Sequence, residues 1–289
     1  MAAGRSQQLD AIHADDFDVV RFSNALAAFC QPLKLQCTAP FLVGWYNKLR
    51  ASTADGTQTI DAPDEAVAFA IYNVPGYLDI IVDHFSRAQP QHNFVDACTN
   101  EILDMLQSQL DPSLEPLIVN TDCGPPYYHV QSIGAVAGAD QHIEATDLQE
   151  EGDDAWREEL SDRLEDVRDP KMWGTDPEQR RKIFGVNIHP VWGGWYAYRA
   201  LLVLRKTCVE ELPQPPAQNF LPAVEKRRIL SEYNLKHEEC LWRELTAEGN
   251  PPERRYGADE YFYFTETLAR KRHRFLQLRA AEHKSRQAH

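Results

Sequence analysis

The sequence predicts an α+β fold, and three observations carry that prediction. Runs of strand length rich in β-branched and aromatic residues occur at 66–72 (AVAFAIY), 117–120 and 185–204 (GVNIHPVWGGWYAYRALLVL). Stretches of helical period lie between them at irregular intervals, without the one-for-one alternation of a βαβ repeat. After the prolines Pro213, Pro215 and Pro216, the last third of the chain reads as helix.

Each element follows from its residues. Over 15–29, Phe17, Val20, Phe22, Leu26 and Phe29 fit an amphipathic helix, which an irregular stretch around Pro32 and Pro40 ends. A new element begins at 41–49 (FLVGWYNKL). The apolar run 66–72 is short and bounded by turn formers, as a buried strand is; 77–85, after Pro75, fits a helix. A further helix is predicted over 94–110, with Val95, Cys98, Ile102, Met105 and Leu106 on one face, and then a strand over 117–120. The small residues of 132–139 (SIGAVAGA) allow a backbone or a flat ligand to approach closely. The acidic stretch 144–169 reads as a solvated helix or a mobile excursion. Segment 185–204 alternates, breaks at Pro190 and Gly193-Gly194, and alternates again, the pattern of a β-hairpin with a long turn. The proline cluster marks a stiff linker into helices over 223–245 and 259–278.

Composition bounds the function. With 289 residues, 43% of them hydrophobic, the chain can bury a sizeable core as one large domain or a domain with an appendage. A formal net charge of -14 argues against nucleic acid or an anionic membrane as the main partner, because those need clustered cations. No apolar run approaches the roughly 20 residues of a spanning helix, and no secretory h-region is visible, so a cytoplasmic location is expected. The cysteines Cys30, Cys37, Cys98, Cys123, Cys208 and Cys240 form no C-x-x-C pair, so free and mostly buried thiols are expected.

The candidate site residues begin with Arg199, which stands on the second strand of 185–204 among apolar neighbours. A guanidinium there must reach solvent, pair with a carboxylate, or face a cavity that receives an anion; a core strand whose arginine snorkels outward is the commonest outcome. Arg243 and the run Arg270, Lys271, Arg272 would attract a small polyanion if they converged on one cleft, whereas surface ion pairs are the ordinary role of such residues. Dinucleotide, triphosphate and nucleophile-elbow fingerprints are absent. His237-Glu238 opens like a zincin motif, but Leu241 stands where the second histidine belongs. His189, before Pro190, reads as a histidine that satisfies backbone groups of the turn.

The segment IFGVNIHPVWGGWYAYRALLVL closely resembles the strand pair of the cobalamin C (cblC) family of cyanocobalamin reductases and alkylcobalamin dealkylases, and other blocks follow in the family's order. FLVGWYNKL is similar to its Trp-Tyr-Asn block, AVAFAIYNVPGYLD to its first long strand and helix, VQSIGAVAGA to its alanine- and glycine-rich segment, and WREL with ERRYGADEYFYF to its C-terminal region. The resemblance covers about 41–271 and implies a modified flavin-nitroreductase-like scaffold, an antiparallel sheet with flanking helices. It implies a cobalamin-binding core over 1–210, with an acidic insertion at about 145–180, and a helical region over 211–289 that completes the cleft.

The implied activity is base-off binding of cobalamin and removal of its upper axial ligand, by flavin-dependent reductive decyanation (FAD or FMN) and by alkyl transfer to glutathione. A non-catalytic cobalamin chaperone and a flavin reductase for other substrates are the alternatives. Implied partners are cobalamin, glutathione and a downstream cobalamin-trafficking protein, with the chain a monomer or a ligand-induced homodimer. Matched motif by motif, the glutathione-binding cations fall on Arg199, Arg243 and Lys271. Cobalamin contacts fall on Asp122, Tyr128, His129, Val130, Gln131, His142, Ile143, Glu144, Asn187 and Tyr198. Family tyrosines and a glutamine are replaced by His142, Ile143 and Glu144, and a family tryptophan by Cys240; His142 is not expected to ligate cobalt.

Overall fold

Helix α1 (Val19–Cys30) starts where the Asp18 carboxylate accepts the N–H groups of Val20 and Arg21, at 2.8 and 3.0 Å, leaving Phe22, Ala25, Leu26 and Cys30 on its buried side. Next come β1 (Leu35–Cys37), β2 (Phe41–Leu42), α2 (Val43–Ala51), β3 (Ala66–Asn73), α3 (Tyr77–Phe85), α4 (Phe94–Ser108), β4 (Pro116–Asn120), α5 (Val130–Val136) and β5 (Gln141–Ile143). The remainder is α6 (Asp153–Val167), α7 (Pro170–Trp173), α8 (Pro177–Arg181), β6 (Val186–Ile188), β7 (Ala197–Cys208), α9 (Ala223–Leu235), α10 (Ala258–Thr265) and α11 (Ala269–Gln287). This computed structural model describes residues 9, 12–51, 58–85, 94–120, 128–150, 152–209, 211–245, 251–266 and 269–287; Asp122 and Cys123 lie outside them. Among the described residues no helix is long and apolar enough to cross a membrane.

The main sheet is antiparallel, in the order β1-β3-β7-β4, with β2 also paired to β3. All of β3 is buried, because helices cover both faces. One face carries Val67, Phe69 and Ile71 of β3 with Ala200, Leu202 and Leu204 of β7, under α1, α3, α4 and Tyr263 and Leu276 from the C-terminal helices. The other carries Ala68, Ala70, Tyr72, Leu201 and Val203 under Tyr46 of α2 and Ile133 of α5. A second sheet pairs β5 with β6, and its Ile143, Val186 and Ile188 pack with Ile229 and Leu230 of α9 and with Trp242.

Four expectations need correction. Segment 185–204 is not a hairpin: β6 pairs with β5, while β7 pairs with β3 along its length and with β4 over 200–204. Only His189 and Gly193 bridge the two, exchanging backbone bonds of 2.8 and 2.9 Å. Nor does Arg199 snorkel; it is buried. The predicted helix over 223–245 ends at Leu235 and gives way to single turns at His237–Glu239 and Leu241–Arg243, where Cys240 takes the left-handed backbone (φ 58°) and Trp242 Nε1 donates back to the His237 carbonyl at 3.2 Å. The predicted helix over 259–278 divides at Glu266, whose backbone is extended.

Two smaller differences concern the surface. Met105 is 47% exposed and lies off the inner face of α4. The acidic stretch forms α6, which is docked: Leu160 and Leu164 are buried, Asp153 pairs with Arg227 of α9 at 2.5 Å, and Arg168 donates to the carbonyls of Arg180 and Lys182, both at 2.7 Å. All five described cysteines are free thiols, and only Cys208 is exposed.

Candidate functional site

Strand β7 contains the local departure that organises the site. Ile71 pairs with Ala200 but Tyr72 with Tyr198, so Arg199 is the extra residue of a β-bulge. The bulge shifts the alternation by one, leaving Tyr196 and Tyr198 on the same face as Leu201 and Val203. On that face Tyr72, Tyr196 and Tyr198 meet edge to face at centroid distances of 5.5 to 5.9 Å. Phenols buried there need an acceptor, and the carboxylate of Asp140 supplies it. Tyr196 donates to Oδ2 at 2.6 Å, Tyr198 donates to the same oxygen, and Asn187 Nδ2 donates to Oδ1 at 2.6 Å. Burial pushes the Asp140 carboxyl above the ordinary aspartate range, against the pull of these three donors and of His142.

The network extends outward. Asn187 Nδ2 also donates to the Gln131 carbonyl at 2.9 Å, and Asn187 Oδ1 lies 2.5 Å from His142 Nδ1. His142 Nε2 lies 2.9 Å from a carboxylate oxygen of the exposed Glu144. Both ring nitrogens of His142 thus face a partner within the chain. The run SIGAVAGA serves this network: a Cβ on Gly134 would occupy the positions of the Tyr198 hydroxyl and the Asp140 carboxylate.

A cavity of about 170 Å³ opens in front of this wall. Gln131, Asn187, Tyr196 and Tyr198 line one side; Tyr233, His237, Trp242 and Arg243 line the other. The second side is an aromatic stack, with the His237 ring 5.4 Å from Trp242 and Tyr233 edge-on to both. Burial, and secondarily Arg243, holds His237 below the usual histidine range, so it stacks as a neutral ring. Gly194 admits the arginine-bearing turn: its N–H donates to the Arg243 carbonyl at 2.7 Å, and a Cβ would meet Trp242 at 2.6 Å.

The two arginines flank one pair of rings. Arg243 lies over Tyr256 at 5.5 Å and over Trp242 at 4.3 Å, and Arg199 lies over Phe264 at 5.5 Å, with the Tyr256 and Phe264 rings 5.1 Å apart. Arg199 Nε donates to Asn73 Oδ1 at 2.7 Å. Burial raises the Tyr256 phenol while both guanidiniums pull it down, which places both within electrostatic reach of one hydroxyl. Among the described residues, Trp195 Nε1 and Arg243 Nε in this region are buried without a hydrogen-bond acceptor.

The cavity thus unites Gln131, Asn187, Tyr198 and Arg243 of the sequence-predicted residues, and His142 and Glu144 join it through Asn187. His129 caps α5 and sets its ring edge-on to His142 at 6.1 Å. Tyr128 and Val130 pack against the α2 side of the core, Tyr128 edge-on to Tyr46 at 6.4 Å, and Ile143 is fully buried in the second sheet's cluster. Lys271 pairs with Glu266 at 3.0 Å on α11; its neighbour Arg272 is the one that lies over a core ring, Tyr263, at 5.8 Å. His189 serves the turn, as its sequence context suggests: Nδ1 accepts the N–H groups of Val191 and Trp192. Sequence reasoning missed Asp140, Tyr196, Tyr233 and Trp242. The one available signal was Tyr196 and Tyr198 at strand spacing, two phenols needing an acceptor.

Chemically, the cavity joins amide and phenol groups on one wall to stacked rings and a guanidinium on the other. Burial pushes the Cys37 thiol up to about 11 and the Cys98 thiol up to about 12, so neither is a thiolate at neutral pH. The lining offers polar contacts to the edge of a ligand, ring faces to stack on, and one guanidinium for an anionic group.

A sequence model of the methylmalonic aciduria and homocystinuria type C family matches residues 35–276. A cyanocobalamin reductase / alkylcobalamin dealkylase of Bos taurus is 26% identical over 233 residues, spanning 78% of this chain and 71% of the bovine protein. The protein of the same name from Gallus gallus is 26% identical over 252 residues, spanning 85% and 92%. The crystal structure of a C. elegans B12-trafficking protein CblC, a human MMACHC homologue, has the same fold, with a TM-score of 0.58 at 21% identity over 86% of this chain and 91% of that one.

Proposed function

We propose, from the premise that this chain belongs to the methylmalonic aciduria and homocystinuria type C family, that it processes cobalamin: it binds the vitamin base-off and removes the upper axial ligand by flavin-dependent decyanation and glutathione-dependent dealkylation. The names of its relatives support cobalamin as the substrate. The observation that carries the finer reading is the pair of guanidiniums, Arg199 and Arg243, around Tyr256 and Phe264, amid buried donors that lack acceptors. Such a recess suits the carboxylates of a tripeptide thiol, and cationic groups beside a thiol favour its ionised form.

On this reading Gln131, Asn187 and Tyr198 offer the corrin edge its polar contacts, with His129, His142 and Glu144 beside them; Ile143 supports them from the second sheet's core, and Tyr128 and Val130 from the α2 side. A cavity of about 170 Å³ is below the usual volume of a ligand pocket. A macrocycle would then lie across its mouth, held between Gln131, Asn187 and Tyr198 on one wall and Trp242 and Arg243 on the other. The core of 1–210 supplies one wall and the region 211–289 the other, on a scaffold of the nitroreductase type; helices on both faces of an antiparallel sheet support that assignment. A reduced FAD or FMN, when bound, supplies the electrons for decyanation. In dealkylation the thiolate takes the alkyl group, and the electron pair of the cobalt–carbon bond stays on cobalt.

Anaerobic absorbance spectroscopy tests the reading. Cyanocobalamin with reduced flavin should convert to Co(II), and methylcobalamin with glutathione to Co(I); Arg199→Ala should lose dealkylation far more than cobalamin binding. Equal loss of both would make Arg199 structural. A binding shift without turnover would support a chaperone, and bound flavin without cobalamin affinity a reductase for other substrates. An unchanged spectrum for every cobalamin form would sink the proposal.

A further inference from the structure

Asp140 is buried at the end of α5's connection to β5, yet among the described residues no cation is in hydrogen-bond contact with it; its partners Tyr196, Tyr198 and Asn187 are all neutral donors that line the cavity. A carboxylate in the interior is costly unless hydrogen bonds or a counter-charge hold it. Here the need is directional. An acceptor-only group can hold two phenols and an amide in one arrangement, whereas a hydroxyl or carboxamide would admit alternatives.

The arrangement propagates. Both N–H bonds of the Asn187 amide are committed, one to Asp140 Oδ1 and one to the Gln131 carbonyl, so the amide cannot be turned over without setting its oxygen against two acceptors. Its Oδ1 therefore faces His142 Nδ1, which must carry the proton between them. On the far side, His142 Nε2 meets Glu144, at the protein surface.

We infer that Asp140 is the positioning residue of the cavity: its carboxylate sets the orientation of the Tyr196 and Tyr198 hydroxyls and the Asn187 amide, and through Asn187 it fixes the proton of His142 on Nδ1. The inference deepens the cobalamin reading and rests on it for its effect on ligand, but its effect on the histidine ring is independent of any ligand.

The test compares the full chain with Asp140→Asn, a substitution of equal shape. The new amide keeps one oxygen for the tyrosines and turns its NH₂ toward the Asn187 NH₂. Asn187 then turns over: its Oδ1 accepts from the new NH₂, which outweighs the lost bond to the Gln131 carbonyl, its own NH₂ faces His142, and Nδ1 becomes an acceptor. Ring-¹⁵N spectra of histidine-labelled protein, with the His142 signals identified through His142→Gln, should show Nδ1 protonated in the wild type and stripped of its proton in Asp140→Asn. A wild-type Nδ1 without a proton would overturn the inference even if the variant failed to fold, as would a ring signal indifferent to the substitution. Methylcobalamin titration supplies the second arm. Losing an ion-assisted bond to a contacting residue weakens binding about tenfold or more, with the KM for methylcobalamin rising rather than the far-ultraviolet circular dichroism changing. Unchanged affinity would remove the positioning role. A wild-type protein that binds no cobalamin would refute the functional reading while leaving the ring signal to decide the anchor.

Discussion

His189 makes the fold acid-sensitive by a calculable amount. The ring is 8% exposed; its Nδ1 accepts the N–H groups of Val191 at 3.0 Å and Trp192 at 3.2 Å, and its Nε2 lies 3.3 Å from the Tyr72 hydroxyl. A proton on Nδ1 would confront two donors, so the folded turn requires the neutral ring. Burial accordingly lowers its pKa from 6.5 to about 4. Between those values the unfolded chain binds a proton that the folded chain refuses, so stability falls as pH falls. The contribution is complete above the unfolded value and disappears as pH drops through about 4. The whole gap is worth about 3 kcal/mol, of which about 2 kcal/mol is lost between about pH 7 and about pH 5.

Urea unfolding of wild type and His189→Asn at those two pH values isolates the effect. Asparagine can accept the same two N–H groups in an Asx-turn but does not titrate. Asp140 and Glu260, whose pKa values burial raises, act with the opposite sign: their contributions are present below their unfolded values and lost as pH rises. Both groups are common to the two proteins and cancel in the comparison. The wild type should lose about 2 kcal/mol more than the variant on acidification. Equal losses would refute the claim that the turn depends on a neutral ring.

Three further outcomes follow from packing. Gly134→Ala should destabilise by about 2 kcal/mol or more in chemical denaturation, because no rotamer change can clear its Cβ from both Tyr198 and Asp140. Glu260→Gln should cost about 1–3 kcal/mol in the same assay, since one oxygen accepts from Gly76 N at 2.7 Å and the other from Leu78 N at 3.0 Å, and an NH₂ at either place faces a donor. Leu164→Ala should cost about 2–5 kcal/mol and expose 153–181 to limited proteolysis; a change near zero would mean that Leu164 does not anchor α6.

The helices and strands visible in the sequence are those with one dominant partner surface. Helix α3 and strand β3 fall where punctuation and apolar period place them, because α3 follows Pro75 and β3 is apolar on both faces and bounded by turn formers. Segment 185–204 misleads for a physical reason. Alternation reports which side chains are buried, not which strand supplies the hydrogen bonds, and it does not reveal that β6 takes β5 as its partner. The long helix expected over 223–245 fails because Trp242 buries itself against Tyr233 and His237, which requires the chain to reverse at Cys240, a residue without glycine's freedom in the left-handed region.

The site was legible in part for a related reason. Arg199 stands out as a charged residue in apolar surroundings, and that contrast survives without coordinates, whereas Arg243, Asn187 and Tyr198 are reached through the family's motifs. Asp140 does not stand out, because an aspartate after AVAGA reads as an ordinary turn residue. Its role comes from the bulge at Arg199, which puts Tyr196 and Tyr198 on the face that Gly134 leaves open. A bulge adds one residue to a strand with no compositional mark, and reversing it by deleting Arg199 would turn Tyr196 and Tyr198 to the opposite face of the sheet. The same residue that offers the cavity region a guanidinium therefore also sets the register that brings two phenols to Asp140. For this reason an Arg199→Ala variant, which keeps the register, separates charge from geometry, whereas a deletion at 199 would remove both at once.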